Sequence, residues 1–468
     1  MEPSAALLAL IVIPLAAAFV LLWVPSERKD WVRYLSAIVG ATCFLLSLYV
    51  FIAFKTGGDQ FPENFDLRID WIENVGILGE HGISLHLGVD GIAAVMLLLN
   101  GVVAFAGVLI SWKIENKNKD FFILYWVLVT GVFGTFSSLD LFMFFFFYEL
   151  AVLPMYMLIA IFATFNEAGL GTFDLTALYG ADLDTDFQKW VFPLFAIGAG
   201  CLAGLWPFHT WSPDGHVAAP TAVSMLHAGV LMKLGAFAIL RLGIQLMPEG
   251  AEFWMPALVV LATINIIYGA ISAMAQTDFK YVIGYSSVSH MGYVLLGLAT
   301  LDPVGVNGAA LQMFSHGVMT ALMFAMVGAL YDQAHTRELA LFGGLAGKMP
   351  KFAVYFIIAG LTSVGLPGLS GFIAEFNVFV GTFQEYWWAG ALAVLGAGIT
   401  AVYIFRLLAL SFFGQFNEER WGSLKDMTRY EAAGGALLIV FIVFMGLWPD
   451  PFVDRISDTV VNHLPGIG

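Results

Sequence analysis

A chain of 468 residues that is 60% hydrophobic and only 12% charged is too apolar for a water-soluble fold of that length and reads as a polytopic helical membrane protein. Its 20 lysines and arginines against 35 aspartates and glutamates leave a net charge of −15, which excludes a nucleic-acid partner and a polybasic lipid site. Cys43 and Cys201 both lie in apolar runs, which argues against a disulfide framework.

Apolar runs fall at 5–24, 32–54, 89–112, 121–137, 139–162, 190–212, 217–246, 252–276, 281–300, 304–331, 352–382, 387–413 and 431–448, which predicts thirteen visible transmembrane helices in an all-α fold. The first run, AALLALIVIPLAAAFVLLWV, is too long for a signal-peptide apolar region and lacks a positive segment before it, so it is expected to remain as a first span. The 49 glycines are expected as close-packing positions between helices. Polar connections are short except at 55–88, 163–189, 332–351 and 414–430, and none has room for a catalytic domain. Any redox cofactor or nucleotide is therefore expected in another chain.

Arg28, Lys29 and Arg33 follow the first run and Lys113, Lys117 and Lys119 the third, so both connections are expected to be cytoplasmic, with the N-terminus outside. Arg337, Lys348 and Lys351, then Arg420, Lys425 and Arg429, mark two more cytoplasmic connections. Thirteen crossings would put those two outside. One further crossing within 163–189 would restore them, yet that stretch carries five carboxylates and no apolar run of spanning length. A helix missing from the chain is the expected reason, with a re-entrant span as the alternative.

Residues 202–241, LAGLWPFHTWSPDGHVAAPTAVSMLHAGVLMKLGAFAILR, are apolar enough for a bilayer but interrupted by Pro207 and Pro213, with His209, Asp214 and His216 in the polar break and Lys233 deep in the run that follows. A lysine at bilayer depth costs about 2.5–3.5 kcal/mol, and irregular backbone is tolerated there only where it packs in protein or lines a wet cavity. The combination points to an ion path. A counterpart occurs at 352–382, where GLPGLSGFIAEF joins Gly365, Pro367, Gly368 and Gly371 to Glu375. Two interrupted helices at matching places in two halves are the pattern of an inverted-repeat transporter.

Glu149, in LFMFFFFYELAVLPMYML, is a carboxylate within an apolar segment, and intramembrane ionisable groups are functional by default. The plain alternative is a carboxyl satisfied by donors of a neighbouring helix. Glu149 paired with Lys233 is the expected proton-holding couple. His209, His227, His290 and His316, in or beside successive apolar runs, are expected to serve as a relay with Lys233 and Lys280, although a single histidine there can equally be a structural hydrogen-bonder. Lys280 lies near the cytoplasmic end of its run, where a lysine can simply extend to water. Ser286, Ser287 and Ser289 can hydrate such a path, and Arg241 and Arg406, near the ends of runs, are expected to be anchors. No metal-ligand spacing or phosphate-binding glycine loop occurs in the sequence.

The strings FYELAVLPMYMLI, WPFHTWSPDGHVAAPTAVSMLHAGVLMKLGAFAILR, DFKYVIGYSSVSHMGY and GLPGLSGFIAEF resemble the antiporter-like proton-translocating subunits of respiratory complex I, NADH:quinone oxidoreductase, in particular the chain M type, which is related to the D-type subunits of Mrp antiporters. The resemblance covers nearly the whole chain. It implies fourteen helices with two inverted five-helix repeats, each holding a broken helix. It implies N-terminal helices over 1–120, a first repeat over 121–246 with a helix apparently missing near 163–189, a second repeat over 252–413, and a C-terminal helix and tail over 414–468. Glu149 matches the family's first-repeat glutamate, Lys233 its central lysine and Glu375 its exit-side glutamate; His290 and His316 match positions that are often polar. The family's string K-x-P-x-x-P-x-H-x-W reads L-A-G-L-W-P-F-H-T-W here, so Leu202 stands in the lysine position and Gly204 in that of a proline.

The resemblance therefore implies a non-redox, proton-translocating membrane-arm subunit of a complex I-type enzyme in the bacterial cytoplasmic membrane, with lipid and other arm subunits as partners and the proton as cargo. No cofactor is expected in this chain; quinone, flavin and iron–sulfur clusters would belong to partner subunits. Glu149, Lys233 and Glu375 would carry the path, supported by His209, His227, Lys280, His290 and His316. The alternatives are a Mrp-like sodium/proton antiporter, a membrane hydrogenase arm subunit, or a structural arm subunit that no longer pumps, for which Leu202 and the absent helix would argue.

Overall fold

The structure, a computed structural model, describes residues 2–72, 82–115, 117–151, 172, 174–179, 181–464 and 467. Its helices are α1 (Pro3–Trp23), α2 (Lys29–Ala53), α3 (Gly91–Ile110), α4 (Asn118–Ser137), α5 (Leu141–Ala151), α6 (Thr185–Ala203), α7 (Trp211–Ala218), α8 (Thr221–Ile244), α9 (Pro248–Ala275), α10 (Phe279–Ala299), α11 (Pro303–Ala334), α12 (Pro350–Ser363), α13 (Ser370–Glu385), α14 (Trp387–Phe412), α15 (Arg429–Leu447) and α16 (Asp450–His463). Among the described residues ten helices are long and apolar enough to cross a membrane, and α5 and α12 are shorter apolar ones. The chain is an integral membrane protein. Every expected apolar run meets a helix, but the run at 139–162 does so only through α5, and the rest of it lies outside the described residues.

α11 is the centre, its apolar stretch wholly enclosed by other helices. Pro303 begins it, and the Asp302 carboxylate accepts from Gly305 N–H at 2.9 Å, so the first turn is both preset and capped. Glycines cut notches in its surface. A Cβ at Gly308 would meet the backbone of Val378 in α13 at 2.5 Å, and one at Gly317 would meet Gly229 O in α8 at 2.7 Å. Small residues allow helix backbones to close up in a bilayer, where water drives no association.

Both expected breaks are present. α6 ends where Gly204 turns to φ +76°, a conformation that costs a residue bearing a Cβ but not glycine. The freed backbone is caught by a buried side chain: Asn265 of α9 accepts from Trp206 N–H at 2.6 Å and donates to Gly204 O at 2.8 Å. Replacing Asn265 with leucine is expected to cost about 2–6 kcal/mol, because two backbone groups at the break lose their partner at about 1–3 kcal/mol each. A drop in the thermal midpoint of the membrane-embedded protein measures it. The second break separates α12 from α13 through Gly365 and Gly368, both at positive φ.

The four basic connections lie on one face. Lys29 and Arg33 hold Glu115 at 2.7 and 2.6 Å, Lys113 holds Glu431 at 2.8 Å, Lys348 holds Glu418 at 3.1 Å, and Gln333 donates to Lys425 O at 3.0 Å. The odd-crossing conflict is thereby located. Asp140 and Asp174 form an antiparallel bridge on the opposite face, so the chain that leaves this face in α5 has returned to it by residue 174. Of the stretch 163–189, where a helix is expected to be missing, 163–171 lie outside the described residues, and the described part holds only a helical turn at Leu175–Leu178 and the start of α6.

The helical fold carries one small β-hairpin, on the opposite face. Leu67–Ile72 (β1) and Ile83–Leu87 (β2) form an antiparallel pair with Arg68 opposite His86. The alternating strings LRIDWI and ISLHL carried that period-two signal. The pair is pinned by charge: His86 Nδ1 lies 3.0 Å from Asp174 and Nε2 3.1 Å from Asp66, while Arg68 reaches Asp174 at 2.7 Å. Burial opposes a charge on His86, but Asp174 and Asp66 outweigh it and hold the ring above its ordinary 6.5. Burial would likewise raise Asp174, but His86 and Thr176 hold it down to about 2. Burial pushes neighbouring Asp140 up to about 6, against hydrogen bonds from Met143 and Ser84.

The signs follow. Asp174 contributes stability above the ordinary 3.8 that is lost as pH falls towards 2. His86 contributes stability that is whole below 6.5 and lost as pH rises through its raised value. Asp140, protonated more tightly when folded, adds stability that fades as pH rises from 3.8 past about 6. The hairpin is therefore expected to dock most firmly at about pH 4 and to loosen with alkali. Hydrogen exchange of residues 67–72 and 83–87, corrected for intrinsic rate, checks this; protection that rises with pH contradicts it.

Candidate functional site

Lys233 is fully buried near the middle of α8. Just before it, residues His227–Leu231 form a π turn, which widens the helix. The wider turn turns a backbone carbonyl inward, and the Lys233 ammonium donates to Ala228 O, five residues back. Its second partner is His316 Nδ1 at 2.7 Å, brought close by the Gly229–Gly317 approach of α8 to α11.

The polar groups continue on both sides of this pair. The His316 ring stacks on His290 of α10 with centroids 5.3 Å apart. His290 Nδ1 lies 3.3 Å from Glu375 Oε1 and 3.3 Å from Gln312 Nε2, and its Nε2 lies 2.9 Å from Ser363 Oγ. The ring thus has two settings. A bare Nδ1 accepts from the Gln312 amide; a protonated Nδ1 donates to the Glu375 carboxylate. Glu375 rests over the α12–α13 break, where a Cβ on Gly365 would come within 2.9 Å of Oε2. The glycine leaves the carboxylate its place.

Towards the basic face, the His227 ring lies 4.2 Å from that of His216 and stacks on Trp211 at 5.1 Å. His216 Nε2 is 3.1 Å from Ser212 Oγ, and its backbone carbonyl accepts from Ser224 Oγ at 2.8 Å. Ser224 Oγ in turn accepts from Lys280 Nζ at 3.3 Å. Lys280 is only 4% exposed and also donates to Ala219 O at 2.7 Å and Val217 O at 3.4 Å. It is turned inward rather than extended to water.

Buried polar groups therefore run from Lys280 through Ser224, His216 and His227 to Lys233, and on through His316 and His290 to Glu375. His227 directly precedes Ala228, whose carbonyl holds Lys233. Of the sequence-predicted residues, Lys233, Glu375, His227, Lys280, His290 and His316 are assembled here.

Two predicted residues stand apart. Glu149 does not pair with Lys233: its Oε2 is buried with no hydrogen-bond partner among the described residues, and the lysine is committed to Ala228 and His316. The expected couple is replaced by a lysine–histidine one. His209 lies in the first break against Tyr268, centroids 5.0 Å apart, with neither ring nitrogen bonded among the described residues. Leu202 is buried in the last turn of α6. Arg241 is no surface anchor either; it lies 2.5 Å from Asp90, and both are buried.

Sequence reasoning noticed His216 in the break without placing it in the path, and missed Ser224, Gln312 and Ser363. Gln312 carried a signal, since it precedes His316 by four residues and so shares its helix face. Ser363 carried none; the fold of α12 alone brings it to His290.

Residues 158–400 match the family described as NADH:quinone oxidoreductase/Mrp antiporter, TM. A Rhodobacter capsulatus protein named NADH-quinone oxidoreductase subunit M is 34% identical over 96% of this chain and 94% of its own. A Rickettsia conorii protein of the same name is 33% identical over 96% of both. Among solved structures, a chain of respiratory complex I from Thermus thermophilus with bound NADH superposes at a TM-score of 0.86 with 26% identity, covering 97% of this chain and 98% of that one. A chain of the Mrp complex from Dietzia sp. superposes at 0.84 with 19% identity over 99% and 98%, a likeness of fold alone.

Proposed function

Because the chain belongs to the NADH:quinone oxidoreductase/Mrp antiporter membrane family, we propose that it is a proton-translocating membrane-arm subunit of a complex I-type NADH:quinone oxidoreductase, with its redox chemistry in partner subunits. The observation that carries this reading is the run of buried titratable and hydroxyl groups from Lys280 to Glu375 through the Lys233–His316 pair. With the basic face towards the cytoplasm, a proton taken up at Lys280 passes along the Ser224 hydroxyl and, carried by water between the side chains, by the His216 and His227 rings to Lys233. Lys233 hands it to His316 Nδ1. As Nδ1 of His316 takes that proton, its Nε2 gives one up, through water, to His290 Nδ1; the protonated ring then turns from Gln312 to Glu375 and passes the proton on, and the carboxylate releases it towards the opposite face.

Each 100 mV of membrane potential opposes a proton by about 2.3 kcal/mol, and one pKa unit is about 1.4 kcal/mol. The proton affinity of Lys233 must therefore swing by nearly two units for every 100 mV pumped against. A change of charge relayed from a neighbouring arm subunit is the source of that swing. In this reading Glu149 receives it, which its half-buried carboxylate, with Oε2 unpartnered among the described residues, supports. Transport then joins Ser224, His216, His227 and Lys233, at the end of the first repeat, to Lys280, His316, His290 and Glu375 of the second, and Leu202 in place of a family lysine lies outside that run.

The decisive experiment compares proton pumping and electron transfer by the assembled complex in vesicles for the parent and Lys233→Ala. Loss of pumping and of coupled turnover, with the complex intact, is expected. Unchanged pumping would make the chain a structural member of the arm.

A further inference from the structure

The basic face carries a cavity of about 300 Å³ between the end of α3, the α7–α8 junction, the start of α10 and the end of α11. Four charged side chains line it: Lys113, Lys280, Asp332 and Arg337. Two of these are neutralised by partners. Lys113 is held by Glu431 at 2.8 Å, and Arg337 by Asp278 at 3.0 Å. That leaves Asp332, solvent-exposed and without an ion pair among the described residues, and the inward-turned Lys280. Ser111 Oγ also lines the cavity, buried and with no hydrogen-bond partner among the described residues. An orphan hydroxyl on a space of this volume is satisfied by water, for which about 30 Å³ per molecule is ample room.

From this we propose that Asp332 is the proton-collecting residue of the chain, gathering protons at the mouth of the cavity and passing them through water to Lys280. The proposal rests on the transport reading above. Supply is the physical reason for such a group. At about 10⁻⁸ M protons, encounter at about 10⁹–10¹⁰ M⁻¹s⁻¹ delivers only about 10–100 protons per second to a single site. That falls within the range over which ordinary enzymes turn over, about 1–10³ s⁻¹, so supply can limit a fast turnover. Lys113, Lys280, Arg337 and nearby His335 oppose an approaching proton; Glu431 offsets Lys113 and Asp278 offsets Arg337, which leaves Asp332 to counter Lys280 and His335. A carboxylate among these cations both offsets the repulsion and takes protons from buffer acids as well as from free hydronium. It gives its proton to the water file and receives the next, so charge and atoms balance at every turn.

The test is the pH profile of pumping by the assembled complex in vesicles, with Asp332→Asn, Asp332→Glu and Lys233→Ala beside the parent. Asp332→Asn is expected to pump within about twofold of the parent in acid and to fall behind by about tenfold as pH rises by two units, with Asp332→Glu restoring the profile. Lys233→Ala is inactive at every pH under the transport reading, so failure of that reading is seen separately. A profile for Asp332→Asn that superimposes on the parent's overturns the proposal, and so does an equal loss at every pH, which marks a structural role. Ala218→Trp is a second, independent probe. It fills the cavity from an exposed lining position and leaves Asp332 in place. The same alkaline deficit is expected, and an unaltered profile in a complex that assembles overturns the proposal even if Asp332→Asn does not fold.

Discussion

Replacing Arg241 with alanine is expected to destabilise the protein by about 3–5 kcal/mol. Arg241 lies at the opposite-face end of α8, with its guanidinium nitrogen 2.5 Å from Asp90, in a close charge contact rather than an aligned hydrogen bond. It also donates to Gln245 at 2.9 Å and lies over the rings of Phe237 and Phe61 at 5.1 and 5.5 Å. Asp90, wholly buried, caps α3 by accepting from Ala93 N–H at 2.8 Å. Removing the arginine strands that carboxylate in a dry site, and the stranded charge, more than the lost contact, sets the cost. A double-mutant cycle separates the two. Arg241→Leu combined with Asp90→Asn is expected to be less damaging than Arg241→Ala alone, as read from thermal midpoints in the membrane. Strictly additive losses would show that the two residues act independently.

The second large effect is on function. Glu375→Gln keeps the shape of the side chain and its contact with Gln312 but cannot take up a proton. Coupled turnover is expected to fall by about two orders of magnitude or more with assembly unchanged. The protonated setting of His290 loses its acceptor of charge, 3.3 Å away, and the ring is left with Gln312 and Ser363. Glu375→Asp, one methylene shorter, should retain part of the activity. Full pumping by Glu375→Gln, measured with electron transfer in the same vesicles, would move the exit elsewhere.

Particular residues show what the sequence made legible. Spans, breaks and the lysine were readable because each rests on local chemistry: unbroken apolar runs, glycine and proline inside them, and a charge with no reason to be in lipid. That the four basic connections share one face was readable for the same reason, and ion pairs such as Lys113–Glu431 tie them together there. Partnerships were not readable. Glu149 and Lys233 looked like a pair because opposite charges at bilayer depth attract, but the partner of Lys233 was settled by where Gly229 and Gly317 let two backbones meet. Asn265 gave no signal at all. It is one polar residue in an apolar helix, and only the fold shows that it closes the gap opened at Gly204. Arg241 and Lys280 misled in a common way: long cations near helix ends usually reach for water, and these two are drawn inward by Asp90 and by the carbonyls of the α7–α8 junction.

The enclosure of α11 has a consequence for how the protein is made. It is the longest helix among those described, with 32 residues, and it carries Gln312, Ser315, His316 and Thr320 along its middle. Such a segment partitions into lipid only weakly by itself. Its notches fit α3 and α8, which emerge from the ribosome earlier, and α13, which emerges later. Biogenesis must therefore proceed around a segment that waits beside the first-made helices until the last-made ones close over it, and truncation of the chain anywhere before α13 should leave α11 exposed to the insertion and quality-control machinery of the membrane.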